Sequence, residues 1–255
     1  MKKVILMVSF IVFGITLNSC SSDSNGSGKY AYKVRMTDAP GPYDEVNIDL
    51  QAVEVIGSNG QSITLNTTAG IYNLLDLSNG ISTQIALSDL GDVKASQIRL
   101  LLGTNNTVVV NGITYPLATP SADQSGLKVN VTQTLVQDQV NQILIDFDAN
   151  TSIVETGAGT YKLKPVLRTI DVTTSGSIKG SITPIGTLAV VTATSTSNVA
   201  YSSAVNAAGQ FQISGLPAGN YSFTVTPSLP ALPVTLATLV TVTANNTTTV
   251  GPISL

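Results

Sequence analysis

Asp146 and Asp148 stand two residues apart in the run Gln142-Ile143-Leu144-Ile145-Asp146-Phe147-Asp148. On a strand, residues i and i+2 share a face, so both carboxylates point one way while Ile145 and Phe147 point the other. Paired carboxylates can serve hydrolysis or bind Ca²⁺, and Asp38 and Asp76 could add oxygen ligands. The competing account is structural: these carboxylates pair with Arg99, Lys128, Lys164 or Arg168, and Asp38, before Ala39-Pro40, caps backbone N–H groups in a turn. The structural account is preferred, with metal binding next and catalysis last. The expected cluster is therefore Asp38, Asp146, Asp148, Arg99, Lys164 and Arg168, acting in ion pairs or binding. No catalytic residue is assigned, and Ca²⁺ is the one cofactor worth considering.

Other chemistries lack their residues. The 255-residue chain has no His, the commonest general base and metal ligand, and a single Cys. Ser and Thr abound, but no Gly-x-Ser-x-Gly elbow presents one as a nucleophile. Beyond Asp171 there is no carboxylate at all, so proton transfer has no agent in that part of the chain. A non-enzymatic protein is expected. The formal charge is -3, and losing Lys2 and Lys3 with a leader would take it to -5. Without a basic patch to neutralise phosphates, nucleic acid is not an expected partner.

The N-terminus is built for export. Met1-Lys2-Lys3 is a short positive start, and Val4 to Leu17 is an almost unbroken apolar run, long enough for a signal peptide and too short to span a bilayer. It ends in Leu17-Asn18-Ser19-Cys20, which resembles the lipobox of bacterial lipoproteins, where the thiol takes a lipid through a thioether before cleavage. Cys20 is the only Cys, so no intrachain disulfide competes for it. A polar Gly/Ser-rich tether follows, and Ser21 rather than Asp after the Cys favours, by the same resemblance, the outer membrane. The expected plan is a signal peptide over 1–19 and a lipidated Cys with its tether over 20–28.

The elements that must hold the carboxylates are strands. Tyr30 to Met36, Val46 to Leu50 and Gln142 to Phe147 alternate apolar and polar residues between turn formers, as in a β-sandwich. The only helix-like stretch is Ile85 to Val93. A boundary falls near Val172 to Gly176, a Thr-Thr-Ser-Gly-Ser hinge after which Lys179 is the sole charged side chain. The expected fold is all-β, with two sandwich domains over 29–172 and 176–255.

The first of these resembles the bacterial domain-of-unknown-function family 4382. The resemblance rests on Thr37-Asp38-Ala39-Pro40, Asn73-Leu74-Leu75-Asp76-Leu77 with Asn79-Gly80, and Gln97-Ile98-Arg99-Leu100. It continues through Ser125-Gly126-Leu127-Lys128, Asp146-Phe147-Asp148-Ala149 and Tyr161 to Arg168. It implies a secreted or lipid-anchored β-rich domain, frequent in Bacteroidetes-like bacteria, of no known function. The second domain resembles a carboxypeptidase-regulatory-like module of the transthyretin-like or carbohydrate-binding-like type. That likeness rests on Gly176-Ser177-Ile178-Lys179-Gly180-Ser181-Ile182 and the run from Gly209 to Val225. Gly209 and Gly219 are expected in turn conformations, and Phe211, Ile213, Tyr221, Phe223 and Val225 on alternating faces. Such modules imply a spacer, stiffener or binding surface, so a glycan or another envelope protein is a possible partner, and a carbohydrate-binding accessory lipoprotein is an alternative to the structural module. The remaining alternative is the Ca²⁺ or hydrolytic site at Asp146 and Asp148.

Overall fold

The computed structural model describes residues 28–39, 41–120, 125–228 and 232–255. The expected signal peptide, Cys20 and its tether as far as residue 27 lie outside the described residues. Among those residues the fold is all-β, and no helix is long and apolar enough to cross a membrane.

The first domain packs a small sheet against a large one. In the small sheet the order is Leu167–Ile170, Val140–Asp148, Tyr30–Ala39, Thr83–Gly91. Alternation decides what each strand buries. Tyr32, Val34 and Met36 on one strand, and Ile143, Ile145 and Phe147 on its parallel neighbour, point inward and are fully buried. Each contributes about 1.5–3 kcal/mol by leaving water. Arg35, Thr37, Leu144 and Asp146 are thereby turned to the opposite face.

The large sheet is centred on Glu45–Gly57. Val46, Ile48 and Leu50 are buried, and then Val53 and Val55. The parity changes because the pairing with Ala95–Leu102 slips one residue between Leu50 and Ala52. A bulge of that kind re-aims a strand without ending it. The two sheets meet in one continuous apolar cluster drawn from Tyr30 to Leu163.

The helix-like stretch from Ile85 to Val93 is corrected by the structure: Thr83–Gly91 is a strand. Its register against Tyr30–Ala39 shifts between Val34 and Arg35, so Ile85 and Ala86 are consecutive and both fully buried. That break in the two-residue period is what imitates helical spacing. Thr68 N–H donates to the Ile85 carbonyl at 2.9 Å and Leu87 N–H to Asn66 at 3.0 Å, so the strand is also bonded on its far side.

The second domain buries its own cluster, from Ile178 to Ile253. One sheet holds Gln210–Pro217, Ser175–Thr183 and Thr247–Thr249; the other holds Ala200–Ala204, Ala189–Ser195, Gly219–Pro227 and Val234–Thr235. Phe211 and Phe223 meet between them with ring centroids 5.5 Å apart. Phe211, Ile213, Tyr221, Phe223 and Val225 are all buried. Gly209 has φ +75°, the left-handed turn value that favours glycine, whereas Gly219 is close to extended and pairs with Val242.

The Thr173–Ser177 hinge segment forms a bonded turn. Asp171 Oδ1 accepts from Thr173 N–H at 2.9 Å and from its hydroxyl at 2.6 Å, and Ser175 N–H donates to the Asp171 carbonyl at 3.0 Å. Partial burial pushes the Asp171 carboxyl up, but hydrogen bonds from Thr173 and Thr174 outweigh it and hold the group below its ordinary value. Asn245 Nδ2 donates to the Thr173 carbonyl at 2.6 Å, tying the turn to the second domain.

Candidate functional site

The antiparallel pairing of Val140–Asp148 with Leu167–Ile170 sets Asp146 directly opposite Arg168. Arg168 Nε and Nη2 both reach Asp146 Oδ2, at 2.7 and 2.6 Å. The Asp146 side chain is 8% exposed and that of Arg168 35%. Burial pushes the Asp146 carboxyl above its ordinary value, and the guanidinium pulls it back without fully offsetting that rise.

Arg168 reaches past this pair into the second domain. Its Nη1 donates to the Gly215 carbonyl at 3.2 Å and Nη2 to that of Ser214 at 3.4 Å. The Tyr201 ring covers the guanidinium, with its centroid 4.4 Å from the central carbon. Ring and carbonyls replace the water a charged group would otherwise lose, and the face of the ring adds cation–π attraction. Gly215 is required here twice over. Its φ is +71°, and a Cβ would lie 2.4 Å from Ile170 Cδ1.

A second polar contact joins the domains at Asn79. Its Oδ1 accepts from the Ser203 hydroxyl at 3.0 Å and from Gln212 N–H at 3.1 Å. The loop that presents Asn79 is fastened by Thr37, whose hydroxyl lies 2.9 Å from the Leu77 carbonyl and 2.7 Å from that of Ile81. Thr37 is the register partner of Asp146, so one strand pair organises both contacts.

Asp38 lines the same small cavity as Asp146 and Arg168, whereas Asp148, Arg99 and Lys164 are engaged or exposed elsewhere, which corrects the expected cluster. Asp38 is paired with Phe147 in register, one residue out of step with Asp146, and its side chain is buried. Its Oδ1 accepts from Ala149 N–H at 3.0 Å, while Oδ2 is buried with no hydrogen-bond partner among the described residues. Burial holds this carboxyl well above its ordinary value, and the nearby charges of Asp146 and Asp148 add to the rise. Asp148 does share the Asp146 side of the strand, but its Oδ1 accepts from Thr151 N–H at 2.9 Å and caps the short helix Ala149–Ser152. Arg99 belongs to the large sheet, where it pairs with Glu54 at 2.9 Å. Lys164 is exposed, and its backbone N–H bonds the Ser152 carbonyl at 2.8 Å. Asp76 is exposed on the 3-10 turn Leu74–Leu77.

Of the expected pairings the fold thus assembles Asp146–Arg168 alone, and it does so at a junction between domains. Among the described residues no group of three or more His, Cys, Asp or Glu side chains is arranged to hold a metal ion. Tyr201, Ser214, Gly215 and Asn79 complete the junction, and sequence reasoning missed all four. Two act through backbone carbonyls, which no residue type announces. Asn79-Gly80 reads only as a turn.

Fold and junction together define an all-β protein of two sandwich domains, in which an arginine paired within the first domain also bonds main-chain carbonyls of the second. The family model for Domain of unknown function (DUF4382) matches residues 31–165, more than half of the chain, and the chain belongs to that family. No curated protein matches it in sequence. Among solved structures, the Bacillus anthracis TIE protein is 9% identical with a TM-score of 0.26; the match covers 89% of this chain and 34% of that one, so this chain spans about a third of its length. The major pilin subunit of Bacillus cereus is 9% identical over 89% of this chain and 99% of that one, with a TM-score of 0.23. The shaft pilin SpaA of Lactobacillus rhamnosus GG is likewise 9% identical, over 89% and 97%, at 0.22. Likeness at that level carries no argument about role.

Proposed function

We propose that this protein is a lipid-anchored component of the bacterial cell envelope, at the outer membrane, whose two β-domains act as one non-enzymatic structural or binding module. The observation that carries this reading is the junction at Arg168. The carboxylate best placed for chemistry, Asp146, is occupied by a guanidinium that also bonds the second domain. Such an arrangement fixes an orientation and engages the Asp146 carboxylate in it. The second domain, read as a carboxypeptidase-regulatory-like module, then serves as a stiff extension of the first. The anchor rests on the sequence ending in Cys20.

Two measurements test the proposal. Residual dipolar couplings of the mature chain should fit one alignment tensor for both domains; two independent tensors would refute the single rigid module. In a bacterial host fed labelled palmitate, the wild-type chain should take up label and Cys20→Ala should take up none. Retained label in the variant would remove the anchor.

A further inference from the structure

One outward face of the second domain has no assigned partner. On the sheet of Gln210–Pro217, Ser175–Thr183 and Thr247–Thr249, register places Lys179 between Gln212 and Thr249, and Ser181 beside Gln210. With Asn79 of the first domain at the rim, these residues line a groove of about 460 Å³. Gln212 is engaged by Ser214, and Asn79 by Ser203 and the backbone of Gln212. Among the described residues, the side chains of Lys179, Ser181, Gln210 and Thr249 have no hydrogen-bonding or ionic partner within the protein.

The chemistry of this lining selects a ligand class. Lys179 is the one charge, no acidic side chain lines the groove, and none occurs in the chain after Asp171. A polyphosphate would meet a single cation, too few to neutralise it. An apolar ligand would bury hydroxyl and amide groups without partners. A molecule with a carboxylate for the ammonium and several hydroxyls for Ser181, Gln210 and Thr249 gives each of these free polar side chains a partner, and its carbon faces can lie against Val250 and Pro252, which also line the groove. We propose that the groove binds an acidic saccharide, with its carboxylate on Lys179. This names a ligand for the binding role proposed above and rests on that reading, but not on the lipid anchor.

The test is a titration of the mature chain, followed by amide NMR shifts, with three probes. Tetragalacturonate carries both charge and hydroxyls, its methyl ester only the hydroxyls, and acetate only the charge. The acid should bind saturably with shifts centred on Lys179, the ester about tenfold or more weaker, and acetate without saturation. Lys179→Gln, an exposed substitution whose fold the same spectrum verifies, should bring acid and ester to equal affinity. The inference is overturned if the acid fails to saturate by about 10 mM, if the ester binds as tightly, or if Lys179→Gln keeps the wild-type preference. Failure here together with a single alignment tensor would remove the ligand and leave the module intact.

Discussion

The two domains reach the same kind of sandwich with different polar chemistry. In the first, the carboxylates of Asp38, Asp49 and Asp146 are buried; in the second, the buried polar side chains among the described residues are Ser177 and Ser203. Cross-strand contacts in the second domain are made by neutral hydroxyls, such as Ser177 with Thr247 at 2.7 Å, Thr192 with Ser202 at 3.2 Å and Thr224 with Thr235 at 3.1 Å. A buried ion must be matched, or its desolvation is uncompensated, whereas a half-exposed hydroxyl that loses its partner can turn to water. The first domain should therefore be sensitive to single polar substitutions and to pH, and the second should be tolerant of both.

The largest effect is expected at Arg168. Arg168→Ala leaves the Asp146 carboxylate buried and unpaired and removes the contacts to Ser214, Gly215 and Tyr201. Because Arg168 keeps 35% of its side chain exposed, the cost should fall at the low end for buried pairs, about 3 kcal/mol in denaturant unfolding. A loss no greater than that of a surface pair, under about 1 kcal/mol, would break the comparison.

Asp38 sharpens it through pH. Its folded carboxyl titrates well above the unfolded one, so the folded state holds more protons between the two values. The stability it confers is present below the unfolded pKa of about 3.9 and is lost as pH rises through the folded value. Asp38→Asn keeps an acceptor for Ala149 N–H and should gain on the order of 1 kcal/mol at pH 7, shrinking toward nothing near pH 3. A constant difference across that range would show that ionisation is not the cause.

The smallest effect belongs to the second domain. Thr235→Val removes the Thr224 contact and should change stability by less than about 1 kcal/mol in either direction. A larger loss would mean that the hydroxyl pairs carry more of that domain than their exposure allows.

Much of this contrast was legible in the sequence. The strands around Tyr32 and Ile145 follow from alternation, and the charge-poor second half is visible directly in composition. The face shared by Asp146 and Asp148 was also legible, because a two-residue period needs no tertiary information. Their partners were not. Arg168 stood among several cations, and choosing it over Arg99 or Lys164 required knowing which strand lies beside Val140–Asp148. Asp38 and Asp146 are both acids in motifs that carry the family resemblance, and residue type alone does not separate them. The parallel register opposes Thr37, not Asp38, to Asp146. The strand at Ile85 was obscured by a bulge, a feature of pairing rather than of composition.

Arg168 addresses the second domain through main-chain oxygens, and that has a consequence for how the two parts can diverge. A carbonyl is offered by every residue, so positions 214 and 215 need not preserve any side chain to keep these bonds. The demands that remain are an aromatic ring at Tyr201 and the absence of a side chain at Gly215. Across this contact the second domain can exchange most of its residues, or be replaced by another sheet presenting a ring and a glycine in the same places. The arginine of the first domain would then work as a generic socket.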